Sequence, residues 1–178
     1  MELHSLLGRH PGSPEVDALL AEAANKKAMT TVPAPTVKVY KDAVYYSYSS
    51  LGISFNYEPS QPLVPAAYTM SSLDPSLLTL VAIHLYRTPA DKFETFSLAF
   101  MIPRKTESST VLVEMDMEKK GHEIITLLGE PEEKQGGGRK GNCWIGYLKT
   151  MGVSMDFAGS NWEDRDMVLS CLTIALPA

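Results

Sequence analysis

A segment ending in Leu-Leu-Gly occurs twice in this chain, at Leu6-Leu7-Gly8 and at Leu127-Leu128-Gly129, and each copy leads into the same series of signals. After the first come Tyr45-Tyr46-Ser47-Tyr48, a turn closing at Gly52, the alternating Ile53-Ser54-Phe55-Asn56, and an apolar run over 81–85. After the second come Cys143-Trp144-Ile145-Gly146-Tyr147, a turn closing at Gly152, the alternating Val153-Ser154-Met155-Asp156-Phe157, and an apolar run over 172–176. Gly8 and Gly52 lie 44 positions apart and Gly129 and Gly152 only 23. The excess matches a helix at 14–27 and its connector. Each unit of one helix and a few strands is too small to be stable alone, so two such units must share a core. The expectation is an α+β fold with an antiparallel sheet of about six to eight strands, built from two tandem helix-plus-strands repeats with the helices packed on one face. At 178 residues the whole of 1–178 is expected to be one domain, with pseudo-repeats over about 1–102 and about 110–178.

Local signals fill in this plan. A short helical piece is expected over 2–7, and Ser13-Pro14 reads as an N-cap followed by proline at the first helical position. Val16, Leu19, Leu20 and Ala23 then recur with helical period. Strands are expected at 37–40, 44–48, 53–57, 77–86 and 93–102, and later at 143–148, 153–157 and 168–176. Within 77–86, Val81, Ile83 and Leu85 are expected on one face and Leu80, Ala82 and His84 on the other. A proline-rich loop is expected over 58–75, polar loops over 103–109 and 130–142, and a second helix over 118–128 with its stop at Gly129.

The pattern of helix, Leu-Leu-Gly, aromatic strand, glycine and strand resembles the repeat of β-lactamase-inhibitor-protein-like folds and of the SmpA/BamE type. More closely, the chain resembles bacterial immunity-type proteins of the pyocin and polymorphic-toxin kind. The residues that carry this are Leu6-Leu7-Gly8-Arg9 with Ser13-Pro14-Glu15-Val16, Gly52-Ile53-Ser54-Phe55, Ala82-Ile83-His84-Leu85-Tyr86, Leu127-Leu128-Gly129-Glu130-Pro131, and Trp144 with Tyr147. Ser97-Leu98-Ala99-Phe100-Met101-Ile102-Pro103 and the long proline-rich loop depart from that pattern. The resemblance implies a protein that neutralises or regulates another protein, a toxin or an enzyme.

No catalytic or metal-binding signature accompanies these structural motifs. Gly136-Gly137-Gly138-Arg139-Lys140-Gly141 is followed by a strand signal, whereas a phosphate-cradling loop feeds a helix. His4, His10, His84 and His122 stand at no zinc-ligand spacing. No Gly-x-Ser-x-Gly elbow is present. Cys143 and Cys171 sit in apolar runs and read as small buried hydrophobes, close together in space if their strands are neighbours. The amino terminus lacks the basic and apolar regions of a secretory signal, and a cytoplasmic protein without cofactor or metal is expected.

Charge and aromatic placement point to partner binding. The net charge is −5, opposite to that of a general nucleic-acid binder and suited to a basic partner. Six acids fall in two loops, Glu130, Glu132 and Glu133 in one and Glu163, Asp164 and Asp166 in the other. They read either as solvated loop charges or as an acidic rim. Trp162 beside the second cluster reads as an interface anchor or as a lid on the core. Tyr46 and Tyr48 share one strand face with Tyr45 on the other, and together with Trp144 and Tyr147 they are candidates for an aromatic binding surface. The expected function is therefore a non-enzymatic, immunity- or inhibitor-like protein-binding module acting on a basic protein surface, with no nucleic acid or membrane as partner. The alternatives are a small-molecule-binding domain using the space between sheet and helices, and a hydrolase with a Cys or Ser nucleophile.

Overall fold

The structure is a computed structural model and describes residues 1–63, 73–87, 92–105 and 109–177. Positions 64–72 of the expected proline-rich loop and 106–108 of the expected polar loop lie outside the described residues. The elements in chain order are a 3-10 turn at Leu3–Leu6, α1 (Pro14–Lys26), β1 (Thr36–Val39), β2 (Val44–Tyr48), β3 (Ile53–Pro59), β4 (Leu78–Tyr86), β5 (Phe100–Lys105), β6 (Thr110–Met115), α2 (Gly121–Leu128), β7 (Glu133–Gln135), β8 (Trp144–Tyr147), β9 (Val153–Phe157) and β10 (Leu169–Ala175). The fold is α+β.

Eight strands form one sheet in the order β1-β2-β3-β4-β10-β9-β8-β7, with every neighbouring pair antiparallel. Two four-stranded meanders thus meet at the β4–β10 pair. A separate hairpin, β5–β6, is tied to the amino terminus by Met101 N–H donating to Met1 O, and to α2 by the Arg104 guanidinium donating to Leu127 O. Both sheet edges are blunted. Strand β7 is short, charged and exposed throughout, and β1 is short, follows Pro35 and carries Lys38.

Cross-strand register sorts the side chains into two faces. Val44, Tyr46 and Tyr48 lie opposite Tyr57, Phe55 and Ile53, and the same face continues through Ile83 and Leu85, Leu172 and Ile174, Met155 and Val153, and Ile145 and Tyr147. This inner face is almost wholly buried, and it forms one continuous core with Val16, Leu19, Leu20 and Ala23 of α1 and Ile124 and Leu128 of α2. The opposite, outer face carries Tyr45, Ser47, Ser54, Asn56, His84, Tyr86, Cys171, Thr173, Ser154, Asp156 and Trp144.

Several sequence expectations are corrected, among them the polar loops over 103–109 and 130–142, into which β5 and β7 extend. First, a register shift between Asn56 and Tyr57 places Leu80 opposite Tyr57, so Leu78 and Leu80 are buried with Ile83 and Leu85 while Val81 is only half-buried. A β-bulge breaks the simple alternation that put Val81 with Ile83. Second, the strand expected at 93–102 begins only at Phe100. Its amino-terminal part runs as an irregular segment hydrogen-bonded around Gly52, through Glu94 N–H to Ser49 O and Phe96 N–H to Tyr86 O. Third, the second helix starts at Gly121, not 118, because Asp116 holds the Glu118 amide in a turn and the Lys120 amide donates to the Glu123 carboxylate. A Cβ at Gly121 would meet the Phe157 ring at 3.6 Å, an ordinary contact, so the helix start there does not depend on glycine. Ser13 does precede α1, yet its hydroxyl is buried and makes no cap hydrogen bond.

Candidate functional site

The outer face of the sheet collects polar and aromatic side chains that the core has no use for. At its centre His84 lies between Ser54 of β3 and Thr173 of β10. Its Nδ1 is 2.9 Å from the Thr173 hydroxyl, its ring stacks on Tyr45 with centroids 6.2 Å apart, and its Nε2 is buried without a partner among the described residues. Ser47 and Ser54 share a hydrogen bond of 2.9 Å between hydroxyls. On either side stand two aromatic pairs. Tyr40 meets Tyr45 edge to face at 5.8 Å, and Tyr86 stacks on Phe93 at 3.8 Å. Between them opens a cleft of about 340 Å³, reached also by Lys38.

Burial holds the His84 pKa below its ordinary value, since the charged imidazolium would lose water and gain only one hydrogen bond. His4 is also lowered by burial, partly opposed by its bond to Met151 O and by Glu2. A lowered histidine pKa leaves the unfolded chain binding more protons than the native one below pH ~6.5. Stability is therefore expected to fall as pH drops from ~6.5 through the folded pKa values. Urea unfolding between pH 7.5 and 5 measures this, and the slope should flatten in His84→Gln. An unchanged slope in that variant would remove His84 as its source.

The aromatic candidates separate by face. Tyr46 packs edge to face on Tyr57 in the core, and burial raises its pKa. Tyr48 is half-buried on the same face, with its pKa pushed up to about 12 by burial and by Asp17 and Tyr46. Tyr147 is 1% exposed, and its hydroxyl donates to Gly129 O, so it locks the end of α2 to β8. Tyr46 and Tyr147 are thus core residues and are closed to a partner. Tyrosine suits either face, having an apolar body and a polar tip, which is why composition alone leaves the assignment open. Trp144 is on the outer face, half-exposed, with its ring over Gly146. The outer aromatics that sequence reasoning passed over are Tyr40, Tyr86 and Phe93. The available signal was the polar phase of the strands, in which Tyr45, Ser47, Ser54, Asn56, His84 and Tyr86 all fall.

The loop acids also divide. Glu132 accepts the backbone amides of Lys149 and Thr150 at 2.8 Å each. Desolvation raises its pKa, and the hydrogen bonds from Thr150 and Lys149 outweigh that and leave it lowered. Glu130 pairs with Lys134 at 2.9 Å, and Asp166 with Lys120 at 3.1 Å. Asp164 accepts the Asp166 amide in a local turn. Glu133 and Glu163 remain exposed and without a side-chain ion pair among the described residues. Trp162 is 39% exposed, and its Nε1 donates to Gly136 O at 3.3 Å.

Nucleophile geometry is unfavourable. Cys143 is fully buried, and burial raises its thiol pKa. It follows the inner-face phase, since its neighbour Trp144 lies on the outer face, whereas Cys171 is on the outer face opposite Tyr86. The two cysteines therefore lie on opposite sides of the sheet and form no disulfide with each other. His84 and Cys143 are likewise on opposite sides, and the Nδ1 of His84 faces Thr173, not Cys171. Among the described residues no three His, Cys, Asp or Glu side chains converge as a metal-ligand set, and no helix is long and apolar enough to cross a membrane. Comparison of the chain with family models, with curated proteins and with solved structures gives no match.

Proposed function

We propose that this chain is a non-enzymatic protein-binding module of immunity or inhibitor type, working in the cytoplasm, that grips a partner protein with the outer face of its sheet. The observation that carries this is the cleft between the Tyr40–Tyr45 and Tyr86–Phe93 pairs. Aromatic walls over a hydroxyl floor suit one anchoring side chain of a partner, and such pockets concentrate binding energy in a few residues. The net charge of −5 favours encounter with a basic partner surface. Cys143 and Cys171 lie on opposite faces of the sheet and do not bridge each other, which accords with a reducing compartment.

The same proposal reads the two meanders as copies of one helix-plus-strands unit, with both helices on the inner face. It is supported by the strand order, by Gly52 and Gly152 at equivalent turns with φ of 73° and 65°, and by the equivalent bonds that their carbonyls accept from Tyr86 N–H and Ala175 N–H.

Affinity capture with the wild type and with the double variant Tyr45→Ala/Phe93→Ala tests the function. One protein should be retained by the wild type and lost from the variant, and should bind the purified chain 1:1 in calorimetry at least about 30-fold more tightly than it binds the variant. Equal retention by both proteins, or no protein retained by either, would overturn the assignment.

A further inference from the structure

On the other side of the sheet, α2 and the strands β7, β8 and β9 enclose a half-open cavity of about 300 Å³. Ile125 of α2, Ile145, Phe157 and Met167 make its apolar wall. Trp162 stands at the rim. Its indole lies on the backbone of Gly137, where a Cβ would come within 2.6 Å of the ring, and its Nε1 donates to Gly136 O. The glycine at position 137, with φ of 87°, is thus what lets the loop seat the tryptophan over the opening.

The polar side chains lining this opening are His122, Thr126, Lys134, Asp164 and Arg165. Arg165 lines the cavity, is exposed, and has no carboxylate within ion-pairing distance among the described residues. Lys134 projects from β7 on the same side as Ile145 and is paired with Glu130. The lining carboxylate, Asp164, is engaged with the Asp166 amide. An apolar pocket at the small end of the size range of ligand sites, with an unpaired guanidinium at its mouth, has a definite chemical complement.

We propose that this cavity binds a small organic carboxylate with an aromatic or short aliphatic body, the body against Ile145, Phe157 and Trp162 and the carboxylate against Arg165. The site is independent of the outer face, so either can fail without the other.

The two indole N–H signals in a 1H–15N correlation spectrum, assigned with Trp162→Phe, provide the readout. The probes are 3-phenylpropanoate and its neutral analogue 3-phenylpropan-1-ol. The carboxylate should shift the Trp162 signal saturably, leave that of Trp144 in place, and bind about tenfold more tightly than the alcohol, the size expected of a charge-assisted contact. Arg165→Gln, an exposed position whose replacement spares the core, should abolish that preference and keep weak binding of both. Absence of a saturable Trp162 shift with either probe, equal affinity for the two, or an undiminished preference in Arg165→Gln would overturn the proposal.

Discussion

Alanine at position 152 is expected to lower the melting temperature by about 10 °C, on the conversion of ~3 °C per kcal/mol for a chain of this length. Two costs combine. Gly152 has φ of 65°, which costs a residue with a Cβ about 1–2 kcal/mol. The added Cβ would also stand 2.1 Å from Ala175 O and 3.0 Å from Pro177 N, and both are backbone atoms. The turn cannot yield by a rotamer change, so β10 must move, and overpacking of this kind costs a further ~1–3 kcal/mol. That strand pairs β9 to β4 at the centre of the sheet, and Gly152 O itself accepts the Ala175 amide. Gly12→Ala is the control, because Gly12 has φ of 75° with nothing within 4 Å of its would-be Cβ. It should lose only ~3 °C for the conformational term. Thermal melts followed by circular dichroism decide the matter, and equal losses at the two positions would mean that the contact with β10 contributes nothing.

Much of this sheet was legible because its inner strands obey a two-residue period. Ile53, Phe55 and Tyr57 alternate with Ser54 and Asn56, and all three are buried. Elements without an apolar signal were not legible. Strand β7, Glu-Lys-Gln, pairs only with β8 and buries none of its side chains, so nothing in its composition distinguishes it from a loop. Strand β6 carries no alternation signal because Val111 and Leu112 are adjacent and both exposed. Strand β5 holds Pro103, a residue that argues against a central strand and is tolerated here in a two-stranded hairpin.

The site was less legible than the fold for a physical reason. Period two separates a strand's residues into two sets without saying which set is buried. Val44 and Val39 settle it in the structure, since they share a phase with Tyr46, and Val44 is fully buried beside it. The candidate aromatics Tyr46 and Tyr147 were thereby assigned to the core, and the surface passed to Tyr45 and to Tyr86. The acidic loops show the same limit. A cluster of carboxylates is visible in sequence, whereas the engagement of Glu132 with two backbone amides depends on the turn at Lys149 and Thr150, seventeen and eighteen residues away.

Phe55 and Tyr45 lie on adjacent strands one register step apart, Tyr46 facing Phe55 and Tyr45 facing Asn56, so they probe the two faces of the same patch of sheet. Phe55→Ala is expected to destabilise by about 3–5 kcal/mol, against roughly 5–15 kcal/mol for the whole stability of an ordinary domain. The ring is fully buried, with Tyr48 and Tyr57 centroids at 6.0 and 6.2 Å, on an interior strand between β2 and β4. Tyr45→Ala removes a half-exposed ring whose packing is confined to Tyr40 and His84 among the aromatic contacts, and should cost about 1 kcal/mol. Its effect on partner binding is expected to be the larger one, about 2 kcal/mol or some 30-fold, as for an anchor residue at the wall of a desolvated pocket. Urea denaturation and calorimetry on the two variants separate these quantities. A stability loss at Tyr45 as large as that at Phe55 would show the outer face to be a second core, and a protein whose sheet is buried on both faces has no surface there with which to hold a partner.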